Sequence, residues 1–353
     1  MADHPSDPPP ARRWTPNVLA SLAGAAAAAV TAAAIWLGSR NLRYFDAALV
    51  GYATATVMLA FGVVYRYTVW VSSPPAGRYL RRGWRAFLSW RNFRRLPTAV
   101  PRSLVTYVGL QTFIAARGRG RWIAHQLLFW GVVLATLITF PLTFGWFAFL
   151  SDTATGPGYT IYFLGFRTVS FDALSLLGWA VFHGLDLAAV MVLAGCGYFL
   201  WRRFRHREAT TGQRFGYDFF PLVGLVAISV TGLLLTLSSW LLEGRSYDFL
   251  AIAHMATVVL TLVFIPFGKF FHVVQRPASV GVEVYKRSAL EDDGVFPCRR
   301  CGEPVEAKAF VADLEQTMDD LGLGFPEWAE TCPRCKRVQR GRAYLSAVKR
   351  GFR

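Results

Sequence analysis

At 353 residues the chain is long enough for two or three water-soluble domains, but 54% hydrophobic and 15% aromatic residues exclude that arrangement and indicate a membrane bundle. The net charge of +16 falls largely on arginines between apolar runs, where it reads as positive-inside charge and anionic-lipid contact and excludes a nucleic-acid footprint. Four of the five cysteines form two CxxC pairs near the C-terminus and Cys196 stands alone in an apolar run, which predicts metal in a reducing compartment instead of disulfides.

Residues 1–16 read as a disordered cytoplasmic tail, polar and proline-rich and unlike a cleavable leader. An alanine-rich first span is expected at Val18–Gly38 and a second at Ala47–Val71, joined by the short turn GSRNLRYFD. From Ser72 to Arg121 there is no acidic residue and there are eleven arginines. Within it, RYLRRGWRAFLSWRNFRRL alternates basic with aromatic or aliphatic residues, as a helix in the headgroup plane does. This loop is therefore assigned to the cytoplasm.

The third span, Trp122 to about Leu150, carries His125 one turn from its cytoplasmic end. After an outer loop, SDTATGPGYTIYFLGFRTVSFDA, the fourth span (Leu174–Trp201) carries His183 in its outer half. The fifth, Phe219–Leu242, has no histidine, and the sixth, Phe249–Arg276, has His254 and His272. Six spans leave both termini inside. The remaining histidines, His4 and His206, fall outside the spans.

His254 and His272 are eighteen residues apart, five helical turns, so one continuous helix would present both imidazoles on one face about 27 Å apart. Measured from Arg121 and Arg276, His125 and His272 each lie about 6 Å deep, at 1.5 Å per residue. His183 and His254, nineteen and twenty-two residues from Arg202 and Arg276, come out roughly 28 and 33 Å up, level within helix tilt. Imidazole is a common haem ligand and ligating groups in a bilayer are costly, so the spacing predicts two haems b. His125 pairs with His272 on the cytoplasmic side and His183 with His254 on the outer side.

The segments RWIAHQLLFWG and FLAIAHMATVVLTLVFIPFGKFFHVVQRP resemble the gamma, cytochrome b subunit of respiratory nitrate reductase and its relatives, the membrane subunits of heterodisulfide-reductase-like and DsrM-type complexes. The resemblance covers about residues 100–276. It implies a prokaryotic plasma-membrane bundle with two haem ligands, here His254 and His272, on the last span. It also implies electron transfer between quinone and a cytoplasmic iron–sulfur subunit that serves a catalytic subunit. The chain departs from that family in having only His125 on the third span, an extra N-terminal span and a long C-terminal module.

Among other polar residues, Asp186 follows His183 by three, so it could take a proton from quinol or hold the histidine N–H. Lys269 precedes His272 by three and could meet a haem propionate or snorkel to lipid phosphate. Asp172, Glu243 and Asp248 read as solvated loop charges and Cys196 as packing. Residues 277–353 read as a soluble zinc-ribbon or rubredoxin-like domain, following a six-helix cytochrome b domain at 17–276 that includes the interfacial segment 72–121. PCRRCG and TCPRCK offer Cys298, Cys301, Cys332 and Cys335 as a tetrahedral thiolate set. Rubredoxin-type iron would suit the frame and the PEW upstream, but Glu303 and Lys336 depart from it, which favours structural zinc. The intervening EAKAFVADLEQTMDDLGL reads as an amphipathic helix docking a cytoplasmic partner.

The fold expected is thus an all-α membrane protein, a six-span bundle with a small four-cysteine metal domain. The function expected is that of an electron-transfer subunit using quinone or quinol. The competing classes are a transporter, which predicts broken helices and midplane charge, and a non-redox anchor that recruits a partner through its zinc module.

Overall fold

The computed structural model describes residues 16–152, 158–205, 215–325 and 327–351; the expected tail, His4, His206 and Pro326 of the PEW segment lie outside the described residues, apart from Pro16. In chain order the helices begin with α1 (Pro16–Gly38), α2 (Val50–Ser72), α3 (Ala76–Leu88), α4 (Trp90–Arg95), α5 (Ala99–Leu104), α6 (Thr112–Ala115) and α7 (Arg119–Thr143). Three strands follow, β1 (Phe147–Asp152), β2 (Gly158–Phe163) and β3 (Phe166–Asp172). Next come α8 (Leu176–Arg205), α9 (Phe220–Leu241), α10 (Tyr247–Phe264) and α11 (His272–Gln275). The chain continues with α12 (Ala278–Asp293), β4 (Val295–Pro297), β5 (Pro304–Ala307), α13 (Lys308–Asp320) and α14 (Pro333–Gly351).

Among the described residues six helices, α1, α2 with its leading turn from Ala47, α7, α8, α9 and α10, are long and apolar enough to cross a membrane. Their outward faces carry large apolar side chains such as Leu37, Leu137, Leu187 and Leu260, each more than half exposed, as a lipid-facing bundle requires. The chain forms two compact units that do not follow sequence order. One comprises residues up to Val69 with Phe113–His272, the other Trp70–Thr112 with residues from Val273 onward. The arginine-rich segment therefore folds in the same unit as the cysteines, where the sequence suggested an appendage of the spans.

In the first unit small residues set the helix spacing. A Cβ on Gly195 of α8 would come within 2.7 Å of the Ala124 carbonyl, and one on Gly131 of α7 within 2.9 Å of the Ala188 carbonyl, so these helices meet nearly backbone to backbone. Cys196, fully buried, packs with Val192 and Leu222 where α8 meets α9. The outer loop contains more structure than the sequence indicated. β1, β2 and β3 form an antiparallel sheet in that order, with Phe147 opposite Phe163 and Phe163 opposite Phe166. Leu164 and Gly165 both have positive φ (49° and 76°), the conformation that lets a two-residue turn match strand twist.

The sixth span also differs. Expected as one helix to Arg276, it stops at Phe264, turns through Pro266 and Gly268, and resumes as a 3-10 turn (Lys269–Phe271) and the single turn α11. Pro266 has no N–H to continue the ladder. The Arg66 guanidinium donates to the Pro266 carbonyl, satisfying one freed acceptor. His254 and His272 therefore do not share a helix face.

In the second unit α3 lies on α12, and a Cβ on Gly83 would meet the backbone of Gly281 and Val282 at 2.9 Å. Around this contact, Ala86, Val284, Tyr285, Ala289 and Ala307 form the core, with Tyr79 and Phe310 against it. Buried Val311 and partly buried Phe310 turn part of the apolar face of α13 into its own unit. Gly83→Ala is expected to force α3 and α12 apart at a cost of about 1–3 kcal/mol. Thermally ramped proteolysis of residues 273–351 would show this as earlier cleavage.

Candidate metal centre and membrane histidines

The two CxxC pairs converge from different local structures. The first, Cys298 and Cys301, lies in the tight loop between β4 and β5, closed by Cys298 N–H donating to the Glu303 carbonyl (2.8 Å) and by Gly302 at φ 73°. The second is built on a helix start: Cys332 precedes Pro333, the first residue of α14, and Cys335 falls in its first turn. The four sulfurs lie within 4.8 Å of one another, a set that could hold a metal ion such as zinc. Cys298 and Cys332 are buried, Cys335 is partly buried and Cys301 is exposed.

Backbone amides prepare these sulfurs to carry charge. Cys332 N–H donates to Cys298 Sγ (3.3 Å) and Cys335 N–H to Cys332 Sγ (3.5 Å). The amides of Cys332, Arg300 and Cys301 outweigh burial and bring the Cys298 thiol down to about 6. Cys335 moves the other way, pushed up to about 12 by its hydrogen bond with Cys301 and then by burial. Four thiols this close cannot all ionise alone, and a divalent cation removes that conflict. Glu303 stands beside the cluster, 3.8 Å from Cys332 Sγ, and pairs with Arg334 at 3.5 Å. The Lys336 ammonium lies over the Trp328 ring at 4.8 Å, and burial lowers its pKa.

All four span histidines lie in the first unit. Three of them direct Nδ1 to an identifiable oxygen. His183 Nδ1 is 2.9 Å from Asp186 Oδ2, while Asp186 Oδ1 accepts from Thr236 at 2.7 Å, and Trp179 and Trp240 flank the imidazole. His254 Nδ1 lies 3.0 Å from Thr231 Oγ1, whose own hydrogen goes to the Ala227 carbonyl at 2.7 Å, so the imidazole is the donor. His272 Nδ1 lies 2.6 Å from the Lys269 carbonyl, which can only accept. With the proton on Nδ1, the neutral form of each ring carries its lone pair on Nε2. His125 sits beside Ala124 on α7 where that helix crosses Gly195.

The outer pair is not level as counted from the arginines. His183 packs against Trp240 of α9 and its partner Asp186 accepts from Thr236, but His254 reaches α9 at Thr231, and a Cβ on Gly232 would lie 3.3 Å from its Cε1. Thr231 and Thr236 are five residues apart, about 7.5 Å of rise and more than a third of a turn around the helix. Distance from a flanking arginine ignores the register of one helix on the next, and that register shifts α8 outward against α10.

The other candidates have structural partners. Lys269 Nζ pairs with Asp218 Oδ1 at 2.6 Å, a partner the sequence reading missed although Asp218 is the acid just before the fifth span. Asp172 accepts from Leu174 N–H at 2.7 Å ahead of α8, Glu243 occupies a turn at φ 51°, and Asp248 lies in the first turn of α10. Thr231 and Thr236 were also missed, and no local pattern distinguishes them from other threonines of an apolar helix. No protein-family model matches the chain, and no curated protein or solved structure matches it either.

Proposed function

We propose that this chain is the membrane subunit of a quinone-linked oxidoreductase, a dihaem b-type cytochrome resembling the nitrate reductase gamma family, which passes electrons between quinone and a cytoplasmic iron–sulfur partner. The observation that carries this reading is the hydrogen bonding of His183, His254 and His272. Each commits Nδ1 to an oxygen and leaves Nε2 as a lone-pair donor, the arrangement in which metal-ligating histidines are held. A transporter or a plain anchor gives no reason for three span imidazoles to share one hydrogen-bonding pattern.

On this reading His125 and His272 would hold the cytoplasmic-side haem, and His183 and His254 the outer one. The haems would supply one-electron transfer. The chain's own residues do the rest: Asp186 anchors the His183 ring and is itself held by Thr236, Thr231 orients His254, and Gly232 keeps space beside that imidazole. The offset of the outer pair along α9 makes that pair the more demanding of the two, since both imidazoles would have to hold one group. In the metal unit we assign structural zinc, because one cysteine pair is fixed on a helix start and Lys336 packs over Trp328. On this reading the arginine-rich loops and the even number of spans support cytoplasmic termini, and the resemblance implies a prokaryotic plasma membrane.

A pyridine haemochrome spectrum of the purified chain is expected to give two haems b, and His254→Ala to reduce the count to one. One haem in the unaltered chain would restrict the reading to the inner pair. No haem would overturn it and leave the transporter and the anchor. A visible ferric-thiolate band would overturn zinc.

A further inference from the structure

We propose that the exposed face of α3 and α4 is a docking surface for anionic phospholipid headgroups, and that it holds the cysteine-bearing unit against the bilayer. The face is defined by what the rest of α3 does. Tyr79, Gly83 and Ala86, spaced i, i+4, i+7, turn into the core against α12 and α13. Arg78 and Arg82 reach Asp320 and Asp313. Arg81, Trp84, Arg85 and Leu88 are left on the opposite side, again at i, i+3, i+4, i+7.

This side is unusual for a surface in water. Trp84 is 50% exposed, Leu88 72%, and on α4 Trp90 is 64% and Phe93 58% exposed. Four large apolar side chains within ten residues form a patch that a soluble surface rarely leaves uncovered. The cations among them differ from their neighbours. Arg91 and Arg95 both pair with Asp292, whereas Arg81, Arg85 and Arg94 have no carboxylate partner among the described residues. Arg94 instead lies over the Trp90 ring at 5.2 Å. Tryptophan mixed with arginine is the composition of a helix lying at the headgroup level, where the rings enter the interface and the guanidinium groups meet phosphate.

Three further facts select lipid as the occupant. The second span ends at Ser72 and α3 begins at Ala76, so the chain enters this face directly from a bilayer-crossing helix. No acidic residue lies between Ser72 and Arg121 to repel a phosphodiester. Arg81 and Arg85, one turn apart, offer two guanidinium groups on the same side of the helix to a single phosphate. The consequence for the fold is that α3 has two jobs: one side is core for the unit that carries Cys298 and Cys332, and the other is its membrane contact.

The test uses the full chain in nanodiscs of phosphatidylcholine alone or with added phosphatidylglycerol, read by hydrogen exchange across residues 81–95. Amide protection is expected to rise on the order of tenfold with the anionic lipid. Arg81→Glu/Arg85→Glu/Arg94→Glu should abolish that rise, and the matching lysine triple variant should retain it. Metal content and circular dichroism of the glutamate variant report that the unit is still folded, since none of the three arginines serves the core. Equal protection in both lipids, a lipid response that survives the glutamate substitutions, or protection obtained with RNA and not with vesicles would each overturn the proposal.

Discussion

Cys332→Ser is expected to remove the metal from the chain and release the start of α14 from the β4–β5 hairpin. Cys332 contributes twice. Its sulfur lies 3.6 Å from Cys301 Sγ inside the four-sulfur set, and the same sulfur accepts from Cys335 N–H at 3.5 Å. Cys332 is also buried, so the hydroxyl that replaces the thiol has no access to water. Besides the sulfurs, the Arg299 guanidinium bridges to Glu330, Arg299 N–H donates to the Glu330 carbonyl at 3.3 Å, and Arg334 pairs with Glu303 at 3.5 Å. A module this small depends on its staple, and structural zinc sites contribute folding energy outright. Elemental analysis should fall from one metal per chain to near zero, and trypsin should then cut at Arg334, Lys336 and Arg337. Cys301→Ser, at the exposed corner, should weaken metal retention less. Acid should release the metal from the unaltered protein as well. Metal and protons compete for the same four thiolates, so lowering the pH favours the protonated, empty site. Full metal content in Cys332→Ser would sink the assignment.

How much of this was legible in the chain depends on the range over which each feature is encoded. The six spans were readable because a run of twenty apolar residues is a local signal that the bilayer thickness makes unambiguous. The four cysteines were readable because ligand spacing is local too. Asp186 as the partner of His183 followed from i, i+3 spacing on one helix. The three-stranded sheet was missed because its first strand, FAFLSD, continues the apolar run of the third span, and its hairpin turn is Leu-Gly, a weaker signal than Asn-Gly. Pro266 was visible, yet the eighteen-residue histidine spacing favoured an uninterrupted helix over the break that a proline inside a helix predicts. The levels of His183 and His254 failed for a different reason. Helix register depends on which side chains interlock, here Phe220 with Phe264 and Thr231 with His254, and no count along one segment contains that information. The joining of residues 70–112 to the cysteine unit is the longest-range feature: Arg82 meets Asp313 across 231 positions, and only the fold brings them together.

That long-range contact yields the second large effect. Asp313→Ala is expected to destabilise the cysteine-bearing unit by about 2–3 kcal/mol. Asp313 is 4% exposed and accepts from Tyr285 Oη at 2.6 Å and from Arg82 at 3.2 Å, while its carbonyl accepts from Arg78 at 3.1 Å. Removing the carboxylate leaves the Tyr285 hydroxyl buried without its acceptor. It also leaves Arg82 without its counter-ion, but that side chain is 50% exposed and rehydrates, which keeps the loss below the ~3–5 kcal/mol typical of a fully buried pair. Asp313→Asn, which can still accept from Tyr285, should cost less. The thermal midpoint for protease resistance of residues 273–351 is the readout, and a double-mutant cycle with Tyr285→Phe isolates the hydroxyl–carboxylate coupling. An additive cycle would show that the bond carries no stability. The same pair predicts an alkaline limit. Burial, then the hydrogen bond to Asp313 and its charge, raise the Tyr285 pKa above the ordinary value near 10. The neutral phenol is therefore favoured in the folded state, so its contribution is fully present below about pH 10 and disappears as the pH rises through the raised value. Tyr285→Phe should lower stability at neutral pH and remove this part of the loss at high pH, because the substituted ring has no proton to give up.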